Sequence, residues 1–259
     1  MKLFHIFLFI PFFLSGCKTD GDWDRYNFKS FISKYYFIED ISYNQQDSRC
    51  IVVKNSKNDF YSQFNKADEE KFNSISLKNN DLNYNSKFKR LRGENSFCSS
   101  YSLNLFSIKV FSLGDYNSTH VAGSSLEDIV RFLSLSLKKF VSSGYKETFV
   151  SDGNNLNVTY KKYLGDYYSK YALDYPQFRA DGSNNIKPYF PVDCLIKDLK
   201  TEDLNLILYQ SNSFGAYSTL GYLYFDELPD VPGNYNIKVE ITDENGKIYS
   251  STITMRFVF

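Results

Sequence analysis

The chain has 259 residues, in which 30 lysines and arginines balance 30 aspartates and glutamates. A neutral chain lacks the basic excess that gripping a nucleic-acid backbone demands, so nucleic acid is not an expected partner. Aromatic residues reach 18%, mostly Tyr and Phe, enough to build a core and to leave aromatic surface over.

Met1-Lys2 gives a short positive start, and Leu3 to Leu14 is apolar apart from His5 and Pro11. This run fits the core of an export signal and falls short of the ~20 residues of a membrane-spanning helix. Leu14-Ser15-Gly16-Cys17 follows, and it resembles the lipobox of bacterial lipoproteins: a large aliphatic, two small residues, then cysteine. The resemblance implies a cleaved signal peptide over 1–16 and diacylglycerol, with palmitate-type acyl chains, on Cys17. Two or more acyl chains hold a protein firmly to a bilayer where one does not. The membrane is therefore an expected partner through Cys17. The expected location is the cell envelope, with the outer membrane favoured because Lys18, and no aspartate, follows the cysteine. Which face of that membrane the body occupies stays open.

Residues 17–30 read as a polar tether. Asp20, Asp22 and Asp24 alternate as in a calcium loop, but Arg25 stands where the turn glycine belongs and Phe31 where the bidentate glutamate belongs. A tether or sorting signal is the better reading, and no metal or cofactor is expected. Residues 31–259 form the globular body, with 31–163 and 200–259 as two subdomains in an alternative division.

Beyond the tether the pattern is mainly β. Segments 35–41, 50–54, 101–105, 106–113, 146–150, 156–163 and 204–210 have strand character. At 105–106 the alternation changes phase, which predicts a bulge. Asp68 to Leu77 is a candidate helix. A second helix is expected over about 124–143: Ser124 and Glu127 fit a capping box, and Leu126, Ile129, Val130, Leu133, Leu137, Phe140 and Val141 recur at three- and four-residue steps. Residues 164–200 read as a long irregular insertion with Pro176, Pro188 and Pro191. Leu220, Tyr222 and Tyr224 mark another strand. The end of the chain is a hairpin. Tyr235, Ile237, Val239 and Ile241 alternate with polar residues, Asp243-Glu244-Asn245-Gly246 turns the chain, and Tyr249 to Phe257 alternate back.

Leu228, the Pro232-Gly233 turn and Tyr235-x-Ile237-x-Val239 resemble the corner of immunoglobulin-like and fibronectin-type sandwiches, over 219–259. There the tyrosine hydroxyl bonds back to the corner backbone. The fold expected is thus an antiparallel immunoglobulin-like β-sandwich with one amphipathic helix and a long insertion.

With Cys17 carrying lipid, Cys50, Cys98 and Cys194 remain. If one bridge forms, Cys50–Cys98 is the expected pair. His120 is the only histidine outside the signal segment, which nearly removes His-based zinc sites and Cys–His dyads by counting. It is expected to serve its loop. Phe106 to Asn117 and His120 to Leu126, with the lipobox and the Asp243 to Lys247 hairpin turn, look like a group of uncharacterised Bacteroidetes-type lipoproteins with a domain of unknown function. That resemblance covers about a third of the chain. It implies an envelope lipoprotein of β-rich fold and brings no catalytic residues with it.

The chain carries no Gly-x-Ser-x-Gly elbow, His-Glu-x-x-His or phosphate-binding glycine loop. The expected function is therefore non-catalytic: an envelope lipoprotein that binds a glycan or an envelope protein, or takes part in surface assembly. One alternative is a carboxylate-dependent, glycosidase-like hydrolase, which needs two facing acids. Another is a structural subunit of a fimbria-like assembly.

Overall fold

The computed structural model describes residues 27–84, 86–87, 98–148, 178–180, 184–186, 188–211 and 218–259. The amino-terminal half gives β1 (Asn27–Phe28), β2 (Ile32–Tyr36), β3 (Ile41–Asp47), β4 (Cys50–Asn55), β5 (Phe60–Ser62), α1 (Glu69–Lys78), β6 (Ser86–Lys87), β7 (Cys98–Tyr101) and β8 (Leu105–Ser112). The remainder gives β9 (Val130–Ser136), α2 (Lys138–Ser142), β10 (Phe178–Ala180), β11 (Asn184–Ile186), β12 (Phe190–Leu195), β13 (Gln210–Ser211), β14 (Ser218–Phe225), β15 (Gly233–Asp243) and β16 (Ile248–Phe257).

The protein is mainly β, with antiparallel sheets and a sandwich-like arrangement. A large sheet runs β12-β9-β14-β4-β3, with β13 also on β14. A second sheet runs β16-β15-β8, and a third runs β5-β2-β7, in which β2 and β7 are parallel. The large sheet lies between two apolar clusters. On one side Ile51, Val53, Phe132 and Leu223 meet Ile108, Val110, Ile237, Val239 and Met255 of the β16-β15-β8 sheet. On the other, Cys50, Leu133 and Leu135 meet Ile32 and Tyr35 of β2, Phe72 of α1 and Phe140 of α2.

This layering corrects the helix expected over 124–143. Val130 to Ser136 is strand β9, paired with β12 and β14, and the only helix in that stretch is the short α2. A single turn, closed by the Val130 N–H on the Leu126 carbonyl at 2.9 Å, precedes the strand. β9 is an interior strand of the middle layer, between β12 and β14. Val130 and Phe132 point into one cluster, Leu133 and Leu135 into the other. A strand buried on both faces loses its apolar–polar alternation, and its apolar run is then open to a helical reading.

Other expectations hold. α1 takes the place of the candidate helix from Asp68, β4, β8 and β14 match their segments, and β15 and β16 form the terminal hairpin. Gly246 sits in its turn at φ +82, where a side chain would be strained. The bulge falls at Phe106, which is skipped where the β8–β15 register shifts between Ser107 and Leu105. The Tyr235 hydroxyl donates to the Val231 carbonyl at 2.7 Å, the corner bond its sequence context resembles.

Other segments differ: 101–105 is the junction between β7 and β8, and 204–210 holds only isolated bridges at Ile207 and Leu208 before β13 begins at Gln210. β2 ends at Tyr36 and β3 begins at Ile41, so 35–41 spans a junction between strands. The insertion contains a regular edge strand, β12, whose Pro191 is tolerated at a sheet edge. The stretch expected to be tether already forms β1 at Asn27–Phe28, and Ser30 is buried. Residues 146–148 carry no strand. Cys17, the strand at 156–163 and residues 149–150 lie outside the described residues.

Candidate functional site

The short edge strand β5 carries the most exposed aromatic ring in a continuous row. Register places Phe60 opposite Tyr36, and their rings lie 5.0 Å apart. Tyr36 stacks on Tyr209 at 3.4 Å with the planes 10° apart. Tyr209 in turn lies 5.7 Å from the buried Tyr101. The row runs from surface to core, with Phe60 37% exposed and Tyr101 1%. Phe64, 48% exposed, follows two residues after β5.

Polar groups border this row. The Lys34 ammonium sits 4.4 Å from the Phe60 ring centre, a cation–π contact. The Tyr209 hydroxyl donates to Asn58 Oδ1 at 3.0 Å. An exposed ring face attracts the C–H face of a sugar or another apolar plane. Amides and an ammonium beside it can bond the hydroxyls at the rim.

The acids are arranged differently. Asp81 is fully buried where the chain enters the body. Its carboxylate accepts from the Phe31 and Ile32 amides, both at 3.0 Å, and from the hydroxyls of Tyr145 at 2.9 Å and Tyr35 at 3.4 Å. Burial pushes its pKa up to about 6, against the downward pull of those four donors. Its oxygens are committed to protein donors, which makes it a clip for the start of β2. Asp193 and Asp226 flank Arg131 instead: Nη1 reaches Asp193 at 3.1 Å and Nη2 reaches Asp226 at 2.9 Å. The guanidinium thus ties the ends of β9, β12 and β14 together, with a carboxylate on each side of it.

His120 serves its loop. Asn117 Oδ1 accepts from the amides of Thr119 and His120, from the Thr119 hydroxyl and from His120 Nδ1, at 2.8–3.1 Å. His120 Nε2 lies 2.9 Å from Asp128. Thr119 Oγ1 is also 3.0 Å from Nδ1, which superficially suggests a hydroxyl–imidazole–carboxylate relay. Because both the hydroxyl and Nδ1 face Asn117 Oδ1, neither is set to take the other's proton.

Cys50, Cys98 and Cys194 are free thiols. The expected Cys50–Cys98 bridge is not formed, although both side chains lie in the cluster that also holds Phe31, Leu133 and Leu135. Burial raises both of their pKa values well above the usual range, and raises Cys194 to about 11, so none has thiolate character at neutral pH. Among the described residues no group of three or more His, Cys, Asp or Glu side chains is placed to hold a metal ion.

The long edge of β16 is partly occupied. Gln45 of β3 donates through Nε2 to the Arg256 carbonyl and accepts the Arg256 amide at Oε1, both at 2.9 Å. A side-chain amide there imitates a neighbouring strand and blunts the edge.

Sequence reasoning did not single out Phe60, Tyr36, Tyr209 or Asp81. The aromatic content was visible, but which rings stay outside depends on how the third sheet docks. Fold and geometry together define a mainly β, sandwich-like protein with an aromatic row that reaches the surface at Phe60. No known protein family, no curated protein and no solved structure matches the chain.

Proposed function

We propose that this chain is a lipid-anchored protein of the bacterial cell envelope whose β-rich body binds glycans without catalysing a reaction. The row from Phe60 through Tyr36 to Tyr209, flanked by Lys34 and Asn58, is the observation that carries the binding part. The Leu14-Ser15-Gly16-Cys17 motif carries the anchoring part. It supports lipid on Cys17 and agrees with the resemblance to uncharacterised Bacteroidetes-type lipoproteins. The committed geometry of Asp81, Asp193 and Asp226 favours binding over carboxylate hydrolysis, and the Gln45 contact on β16 weighs against assembly by strand addition.

A glycan array probed with the purified chain tests the binding. At least one glycan class should bind, and Phe60→Ala should weaken it about tenfold or more while the chain stays folded at the temperature of the assay. An array without hits, or hits indifferent to Phe60→Ala, would sink the proposal. Metabolic labelling with palmitate tests the anchor separately: the label should appear on the chain and vanish in Cys17→Ser.

A further inference from the structure

Behind the aromatic row, where the small sheet meets the large one, three polar atoms lack a hydrogen-bond partner: Asn55 Oδ1, Tyr101 Oη and Ser218 Oγ. All three side chains are at most 1% exposed. Asn55 of β4 and Ser218 of β14 are cross-strand partners, so their side chains leave the same face with Cβ atoms about 5 Å apart. Ser218 lies close enough to the Tyr101 and Tyr209 hydroxyls to pull both pKa values down against burial, yet meets neither in bonding geometry. The Asn55 amide is oriented by its other end. Nδ2 donates to the Phe37 carbonyl at 2.6 Å and to the Lys57 carbonyl at 2.7 Å, leaving Oδ1 a bare acceptor.

An unpartnered buried hydroxyl or amide oxygen costs about 1–3 kcal/mol, and three together are a heavy penalty for one junction. The group needs a guest that donates to Asn55 and can both donate to and accept from two hydroxyls. All three side chains are neutral, so none of them offsets the desolvation of an ion, and water is the guest that fits. We propose that this junction is a binding site for one ordered water molecule that joins Tyr101 of β7 to Asn55 and Ser218 of the large sheet. Such a water makes about three bonds in a protein interior and is costly to remove. It fixes the small sheet, and with it the aromatic row, on its support.

Removing single hydroxyls gives opposite signs for a wet and a dry site. With the water bound, Tyr101→Phe and Ser218→Ala each lower the thermal midpoint of the full chain by about 2–4 °C. The double variant then falls little further than the worse single one, because both lose the same guest. A dry site predicts unchanged or raised midpoints, and that result overturns the proposal. A crystal structure of the unaltered chain decides independently of how the variants fold. A solvent peak within hydrogen-bond distance of all three atoms supports the site. A direct Tyr101–Ser218 bond with no solvent peak overturns it.

Discussion

The β15–β16 hairpin and strand β9 are both apolar-rich, and they reveal themselves in opposite ways. Along β15, buried Ile237, Val239 and Ile241 alternate with half-buried Lys238, Glu240 and Thr242, because one face of that sheet meets the core and the other meets solvent. Along β9, every residue but Arg131 is buried, because the strand has a core on each side. The water on one face is what writes a strand's period into its sequence. A middle layer has none, and its pattern records only that it is inside.

The largest test of this contrast is Phe132→Ala. Phe132 is fully buried and its ring lies against Gly221 of β14, where a Cβ would approach it to 2.5 Å. Truncation should cost about 3–5 kcal/mol in urea or guanidinium unfolding. The exposed Thr252→Ala of β16 should stay within about 0.5 kcal/mol. Equal costs at the two positions would remove the middle-layer account of β9.

A smaller effect separates the two ends of the chain by pH. Burial raises the Asp81 carboxyl from 3.8 to about 6. Between those values the folded state keeps a proton that the unfolded chain has released. Its contribution is therefore complete below about pH 4 and is lost as pH rises through 6, by about 3 kcal/mol in all. Asp81→Asn cannot ionise, so the difference in urea midpoint between it and the parent should change steadily from pH 4 to pH 7. A difference that stays constant over that range would count against a buried, proton-holding Asp81. Smallest is Tyr235→Phe, which deletes only the corner bond to Val231 and should cost about 1 kcal/mol. No loss at all would mean that the hairpin's corner needs no tether.

What could be read from the sequence follows the same division. The hairpin, its Gly246 turn, the Phe106 bulge and the Tyr235 corner were legible because each is a local event with a local signature. β9 was not, since Leu126, Ile129, Val130, Leu133 and Leu137 satisfy a helical spacing as well as a two-faced strand. The candidate site was barely legible. Phe60 and Tyr209 are distant in sequence, and they join one row only because β5 pairs with β2 while Tyr209 stacks on Tyr36. Asp81 gave no warning either, as one aspartate beside Asn79 and Asn80 has the look of an ordinary turn residue.

The clip at Asp81 also decides how the body would bear a mechanical load. A pull on the chain from its amino-terminal side passes the short β1–β6 pair and the Lys29 carbonyl, which accepts the Tyr84 amide, and then reaches Phe31 and Ile32, whose amides are moored to that carboxylate. The load then passes into β2, which is flanked by β5 on one side and the parallel β7 on the other. Tension along β2 strains those ladders in shear, so their bonds share the force and do not peel one at a time. The hairpin β15–β16 lies in the opposite outer sheet and stays outside that load path. A force applied from that side would be carried by the third sheet and its carboxylate mooring, and the rate of their rupture would set the lifetime of the body under tension.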